Sequence, residues 1–393
     1  MKNDVFTGNA LALRRSAFHW HGIIKRLLKK AHAIRGRMKI ALLAPVEEKV
    51  PPKKYGGTER VVYVLAEELH RLGHNVTVFA SGDSKISARL VPIARKAVGA
   101  YLKKRIREAA NYQALVKTAG HLQKERFDVI HNHAGWQALL FRDLFAHPML
   151  TTLHWIDSDC EMAMYNQYKD MPVVSISDSQ RHILPEMNYL ETVYHGLQLD
   201  TFTYNPTPKD YFAFLGRLSP VKGAAEAVQV ALKAGVKLVM AAKINDWERD
   251  YVEKHVMPYV DGKQIIYLGE IDHAAKVELL KNAKAVISPI QWAEPFGLVN
   301  VEAMACGTPV LSTPYGSIPE IIIDGKTGFL CKDVNEMVER VKMVDTLSRA
   351  ACREHAEENF SAERMAKQYL RLYRAVARQF AGKPIMKFKG TLS

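Results

Sequence analysis

From Met38 the sequence alternates short apolar runs with helical ones, stops at Asn205-Pro206-Thr207-Pro208, and then begins the same alternation again. In the first half, strand patterns fall at residues 39–44, 76–80, 128–131, 150–153, 173–176 and 192–194. Helical patterns fall at 58–72, 105–122 and 137–145. The first helix shows its apolar face at Val61, Val62, Val64, Leu65 and Leu69, and Gly73 is placed to stop it. In the second half, strands are expected at 211–215, 237–242, 265–268, 285–289 and 310–312, with helices at 224–234, 247–259, 274–282 and 297–306. Helical patterns at 334–347, 350–359 and 362–380 close the chain. Alternation of strand and helix builds a parallel sheet with helices on both faces. Proline at 206 and 208 continues neither element, so the break is a linker between two such units. The 393 residues suit two or three domains at about 150 residues each.

Charge narrows the partners. Residues 1–37 hold nine Lys/Arg and one Asp, so +8 of the net +14 sits there and the remaining 356 residues carry +6. A basic footprint over the whole protein, as for a nucleic-acid binder, is not supported. Trp20, Ile23, Ile24, Leu27, Leu28, Ala31 and Ile34 recur at helical spacing among those basic residues. The segment reads as a tail upstream of a natural start at Met38, as a basic helix touching an anionic membrane through residues 14–37, or as a targeting segment. No run of about 18 apolar residues occurs, so a spanning helix is not expected. Cys160, Cys306, Cys331 and Cys352 have no Cys-x-x-Cys spacing, which fits a reducing cytoplasm and neither a disulfide framework nor a zinc site.

Two motifs carry chemistry. In Glu294-Pro295-Phe296-Gly297-Leu298-Val299-Asn300-Val301-Glu302, two carboxylates eight residues apart flank a glycine turn that opens an apolar helix. The backbone N–H groups from Phe296 to Val299 at such a start can receive a phosphate. Glu302 lies inside the apolar helix, where a buried carboxylate needs hydrogen-bond partners such as hydroxyls. A nucleotide sugar, with a diphosphate between two hydroxyl-rich ends, has the matching shape. Gly216-Arg217-Leu218-Ser219-Pro220-Val221-Lys222-Gly223 follows the first strand of the second unit and offers two cations at the sheet edge where ligands bind. A departing diphosphate needs that charge.

The two motifs, at this separation, resemble the E-x7-E and G-R-x4-K-G signatures of the retaining, family 4 glycosyltransferases of the GT-B fold. That resemblance spans nearly the whole chain from Met38. It implies an α/β architecture of two Rossmann-like domains facing each other across a cleft. The organisation then expected is a basic extension over 1–37, an acceptor-side domain over 38–205, and a nucleotide-sugar domain over 206–360. A helix over 361–380 crossing back to the first domain and a basic tail over 381–393 complete it. By the same resemblance, Arg217 and Lys222 hold the donor diphosphate, Glu302 grips the ribose, and Glu294 meets the sugar near the reacting centre. Met38–Ser84, including Tyr55-Gly56-Gly57-Thr58-Glu59-Arg60, is similar to the avilamycin-type subgroup in particular.

Other segments fill the pattern less specifically. Gly56 and Gly57 permit close approach of backbone to a phosphate or sugar. Gly216 allows the same at the second sheet. Thr151-Thr152-Leu153-His154 is similar to the family's T-x-H, which places His154 beside the donor sugar. His131 and His133 lack a third ligand at metal spacing, so a structural or acceptor-side role is expected. Arg181 in Ser175-Ile176-Ser177-Asp178-Ser179-Gln180-Arg181 reads as structural or phosphate-facing. His195-Gly196 stands where the family has an N-G turn, and Gly316 to Glu320 reads as turn chemistry. Asp157-Ser158-Asp159 belongs to a loop after His154, and Arg217, Lys222 and the helix start supply the charge a metal would bring. Metal-independent, retaining sugar transfer to a hydroxyl acceptor (glycan, lipid or small molecule) is therefore the expected activity, without a cofactor. The base, the sugar and the acceptor stay open. The competing readings are a nucleotide-sugar epimerase of the same fold, a non-catalytic nucleotide-sugar-binding protein, and a dinucleotide oxidoreductase. The last lacks its Gly-x-Gly-x-x-Gly fingerprint.

Overall fold

The computed structural model describes residues 36–54, 56–99, 104–156 and 158–381. All but the last two residues of the proposed membrane helix and nearly all of the basic tail lie outside these residues, as do Tyr55 and Asp157. No helix among the described residues is long and apolar enough to cross a membrane.

Seven strands form the first sheet: β1 (Lys39–Leu43), β2 (Asn75–Ser81), β3 (Arg89–Ala94), β4 (Val129–Asn132), β5 (Met149–Thr152), β6 (Pro172–Ser175) and β7 (Asn188–Thr192). Six form the second: β8 (Phe212–Arg217), β9 (Leu238–Lys243), β10 (Ile265–Tyr267), β11 (Val286–Ser288), β12 (Val310–Ser312) and β13 (Gly328–Leu330). The orders are β3-β2-β1-β4-β5-β6-β7 and β10-β9-β8-β11-β12-β13, and every pair is parallel. These are two Rossmann-like units.

Side-chain alternation along each strand divides a sheet's residues between two cores. Ile40 and Leu42 of β1 pack on one face and Ala41 and Leu43 on the other, all essentially inaccessible. Phe212 and Phe214 of β8 and Ala213 between them divide in the same way. The face of the first sheet holding Ile40 is covered by helix α1 (Gly57–Arg71) and by helix α2 (Ala362–Ala381), the final helix of the described chain. Met365, Tyr369, Tyr373 and Val376 are the buried stripe of α2, so the chain's last helix completes the core of its first unit.

The order of the strands positions the site. In each sheet the first strand lies between strands reached in opposite directions, β1 between β2 and β4, β8 between β9 and β11. Ligands bind at such switch points, at the carboxyl ends of the strands. The end of β8 and the loop after it carry Gly216–Gly223, and the loop after β11 carries Glu294–Gly297. The loops after β1, β4 and β5 carry Gly56, His133 and His154.

Several expected elements differ in the structure. The edge strand β3 is not among the expected strands; it contains Pro92, whose missing N–H is tolerated at an edge position. β7 covers Asn188–Thr192 rather than 192–194. The helix expected over 247–259 splits into 3-10 turns around a short α-helix, Arg249–His255, with Pro258 inside the second turn. The run at 137–145 begins as a 3-10 helix, Trp136–Phe141, and 334–347 ends as helix at Val341. Asp159, expected in a loop, opens a helix, Asp159–Asn166, capped by the Ser158 hydroxyl.

Candidate functional site

A cavity of about 530 Å³ lies between the carboxyl edges of the two sheets. From the second unit, Gly216, Arg217, Lys222, Glu294, Phe296, Gly297, Leu298, Val299 and Glu302 line it, and Gly56, Gly57 and His154 line it from the first. The structure thus brings together in one space the twelve residues expected to bind the donor or act on it. Arg181 is elsewhere: its Nε donates to Ser175 Oγ at 2.9 Å and its guanidinium lies over the Tyr189 ring.

The helix after the glycine turn, α3 (Leu298–Ala305), starts on Gly297 at φ +80°, without a side-chain cap. α1 likewise starts on a glycine, Gly56, with no side-chain cap. Asp272, Asp333 and Ser348 cap three other helices with their side chains, while the helix Ala224–Ala234 also starts on a glycine, Gly223, without one. Uncapped starts leave backbone N–H groups, and the positive end of the helix dipole, facing the cavity. Asn300 is the first residue whose N–H turns back, to Gly297 O at 3.0 Å.

The charged groups are paired across this space. Lys222 Nζ donates to Glu294 Oε2, which also accepts from Trp292 Nε1 at 2.7 Å, and the ammonium lies 5.3 Å from the Trp292 ring centroid. Arg217 Nη1 donates to Glu248 Oε1 at 3.2 Å, and Asn245 Nδ2 donates to the other oxygen of that carboxylate at 2.9 Å. Arg217 Nε is buried without a protein partner. Glu302, expected to find its donors in a ligand, already has one in the protein: Lys276 Nζ. Burial draws the Lys276 ammonium below the usual lysine range, against the pull of Glu302. Lys276, Glu248 and Trp292 were missed in the sequence, and a lone lysine or acid on a short helix gives no signal that it will face a motif dozens of residues away.

Gly316 was also read as turn chemistry alone. At φ +64°, a Cβ there would stand 2.4 Å from both Glu294 N and Glu294 O, so the bare backbone of this turn is what seats Glu294. Gly223 is under the same demand, since its Cβ would meet Pro289 O at 1.9 Å.

On the opposite wall, His154 Nε2 contacts His133 Nδ1 at 2.8 Å, and His154 stacks on His195 with ring centroids 5.2 Å apart. His195, at the departed N-G position, is itself buried and lines the cavity against Phe296. Burial holds the His154 imidazole down at about 3, so it is neutral at physiological pH. His131, His133 and His195 are held well below the usual range, by burial first and then by neighbouring histidines. Glu59, three residues after Gly56, also lines the cavity and is pushed up to about 7 by burial. Glu59, like Glu302 an acid within an apolar helix, carries the same signal in the sequence. No group of three or more His, Cys, Asp or Glu placed to hold a metal occurs among the described residues.

The units also touch directly. Trp155 meets Trp292 with ring centroids 4.7 Å apart, and Lys54 Nζ stands 3.7 Å from Glu270 Oε2. Glu320 of the second unit accepts from the N–H groups of Asp178 and Ser179 at 2.8 and 2.7 Å.

Residues 201–359 match the family described as Glycosyl transferases group 1, and residues 55–184 match Glycosyltransferase Family 4. The chain is 25% identical over 366 residues to the D-inositol 3-phosphate glycosyltransferase of Mycolicibacterium smegmatis, covering 77% of this chain and 82% of that protein. AviGT4, a glycosyltransferase involved in avilamycin A biosynthesis, superposes with a TM-score of 0.65 at 22% identity, over 87% of this chain and 98% of that one. Anabaena HepE, solved in complex with UDP and glucose, superposes with a TM-score of 0.69 at 19% identity, over 86% of this chain and 100% of that one. Both superpositions establish a shared GT-B fold.

Proposed function

We propose that this chain, which belongs to the group 1 and family 4 glycosyltransferases, transfers a sugar from a nucleotide diphosphate sugar to a hydroxyl acceptor with retained anomeric configuration. The observation that carries this reading is the convergence on one cavity of two cations, an uncapped helix start and two glutamates. The fold it shares with HepE, which was solved with UDP and glucose, supports the donor class.

In this reading the diphosphate lies against the N–H groups from Phe296 to Val299, between Arg217 and Lys222. The Arg217 Nε–H that has no protein partner is a donor in reserve for it. Glu302, oriented by Lys276, accepts from the ribose hydroxyls. Glu294, oriented by Trp292, accepts from the sugar and supports positive charge at its anomeric carbon. Gly56, Gly57 and Gly216 let backbone approach the donor, and His154 faces the sugar from the other wall. The bond from the anomeric carbon to the phosphate oxygen breaks, and the nucleoside diphosphate leaves with the electron pair. The acceptor oxygen bonds to the same face of the carbon, and its proton passes to the departing phosphate. Preorganised positive charge on that leaving group is the largest catalytic contribution. Glu294 is already committed to Lys222 and Trp292, which favours this front-side course over a covalent intermediate on its carboxylate.

The test is nucleotide release from a panel of UDP-, GDP- and ADP-sugars, with and without candidate acceptors, in EDTA. Acceptor-dependent release with a glycosylated product of retained configuration is the expected result. Donor conversion that needs no acceptor would replace this reading with epimerisation. Activity lost in EDTA and restored by magnesium or manganese would overturn metal independence.

A further inference from the structure

Behind His154 a chain of buried polar groups leads out of the cavity, through the first sheet, to helix α2. His133 Nε2 lies 3.1 Å from His131 Nδ1, and the same Nδ1 lies 2.7 Å from the Tyr373 hydroxyl. His131 Nε2 lies 2.7 Å from Thr152 Oγ1, which lies 2.8 Å from the Tyr369 hydroxyl. His131, Tyr369 and Tyr373 are wholly inaccessible. None of these five residues, His133, His131, Tyr373, Thr152 and Tyr369, lines the cavity, and the activity just described gives them no task.

Proton counting gives the chain a direction. Tyr373 is fully buried and its hydroxyl has one polar neighbour among the described residues, His131 Nδ1. A phenol is the better donor and an imidazole lone pair the better acceptor, so the proton sits on Tyr373. A neutral imidazole carries one proton, which for His131 is then on Nε2 and is donated to Thr152 Oγ1. His133 Nε2, facing the same lone pair, carries the proton of that ring. Its Nδ1 is bare and accepts from His154 Nε2–H. In this sense the one proton left without a partner belongs to the Thr152 hydroxyl. In the reverse sense it is the phenol proton of Tyr373, a stronger donor, that is stranded.

We propose that Tyr373, acting through His131 and His133, is a positioning residue that fixes His154 as the Nε2–H tautomer. His154 Nδ1, which has no hydrogen-bond partner among the described residues, then presents a lone pair to the cavity and acts there as an acceptor. Its ligand is a hydroxyl of the donor sugar; this part rests on the transferase reading. A residue of the last described helix, 242 positions from His131, thereby sets the polarity of the wall opposite Glu294.

The tautomer is read directly by two-bond proton–nitrogen NMR on protein labelled with 15N-histidine, without any substrate. In the unaltered protein His154 shows a protonated Nε2 and a bare Nδ1. Tyr373→Phe keeps the ring and removes the phenol proton. It moves His154 towards the Nδ1–H form and lowers kcat/KM for the donor about tenfold, one neutral hydrogen bond's worth. A protonated Nδ1 at His154 in the unaltered protein overturns the proposal. So does a Tyr373→Phe spectrum in which His154 keeps its tautomer while the enzyme still turns over a nucleotide sugar, a result that leaves the transferase reading intact.

Discussion

Glu294 is held by three different devices: the Lys222 ammonium, the Trp292 indole N–H and the bare backbone of Gly316. The third is the least forgiving. Gly316→Ala places a methyl group 2.4 Å from the Glu294 backbone in a left-handed conformation, and the loop has to move. A displacement of about 1 Å at a catalytic group costs up to about 100-fold in rate, so kcat/KM for donor turnover should fall by that order with the fold retained by circular dichroism. Lys276 and Glu302 make a second residue-scale test. Their side chains are 12% and 4% exposed, so removing one partner strands a buried charge. Lys276→Met should destabilise the protein by about 3–5 kcal/mol, while Lys276→Met with Glu302→Gln should recover much of that loss. Thermal melts of the three variants check this, and additive losses would contradict the pairing.

Among elements, α2 is the one whose place in the fold departs most from its place in the sequence. It buries Met365, Ala366, Tyr369, Leu370, Leu372, Tyr373 and Val376 in the first unit. Burial of a large apolar side chain contributes about 1.5–3 kcal/mol, so this set rivals the whole stability of a domain, about 5–15 kcal/mol. A chain ended at residue 360 should therefore fail to melt cooperatively and should aggregate on expression; a sharp melt from that protein would count against the packing described. The helix itself was legible in its apolar period, and so were the motif loops, because strand, glycine turn and helix are local patterns. The partners of those motifs were not. Glu248 meets Arg217 and Lys276 meets Glu302 only because the β9 and β10 crossovers bring separate loops to one sheet edge, and no local period records that. Strand β3 was not legible for a related reason: whether a strand tolerates Pro92 depends on whether it is an edge, which is a property of the sheet.

Across the whole molecule, the buried histidines tie stability to pH. His131, His133, His154 and His195 stay neutral in the folded protein well below 6.5 but take up protons near 6.5 once unfolded. The unfolded chain thus binds more protons below that pH, and stability falls as pH falls, by about 1.4 kcal/mol per unit for each histidine. Glu59, raised to about 7, works in the opposite sense between 4.5 and 7 and offsets one of the four. The melting temperature should therefore drop steeply between pH 6.5 and 5, and a flat profile over that range would contradict the neutral histidine wall.

In the proposed mechanism, catalysis depends above all on positive charge meeting a leaving diphosphate at the switch point of the second sheet. The most direct measurement is kcat for the preferred nucleotide sugar in EDTA, compared between the unaltered enzyme and Arg217→Gln. Loss of one such partner should lower kcat by about 10²–10³, with the melting temperature close to that of the unaltered protein. Turnover unchanged by Arg217→Gln would contradict it.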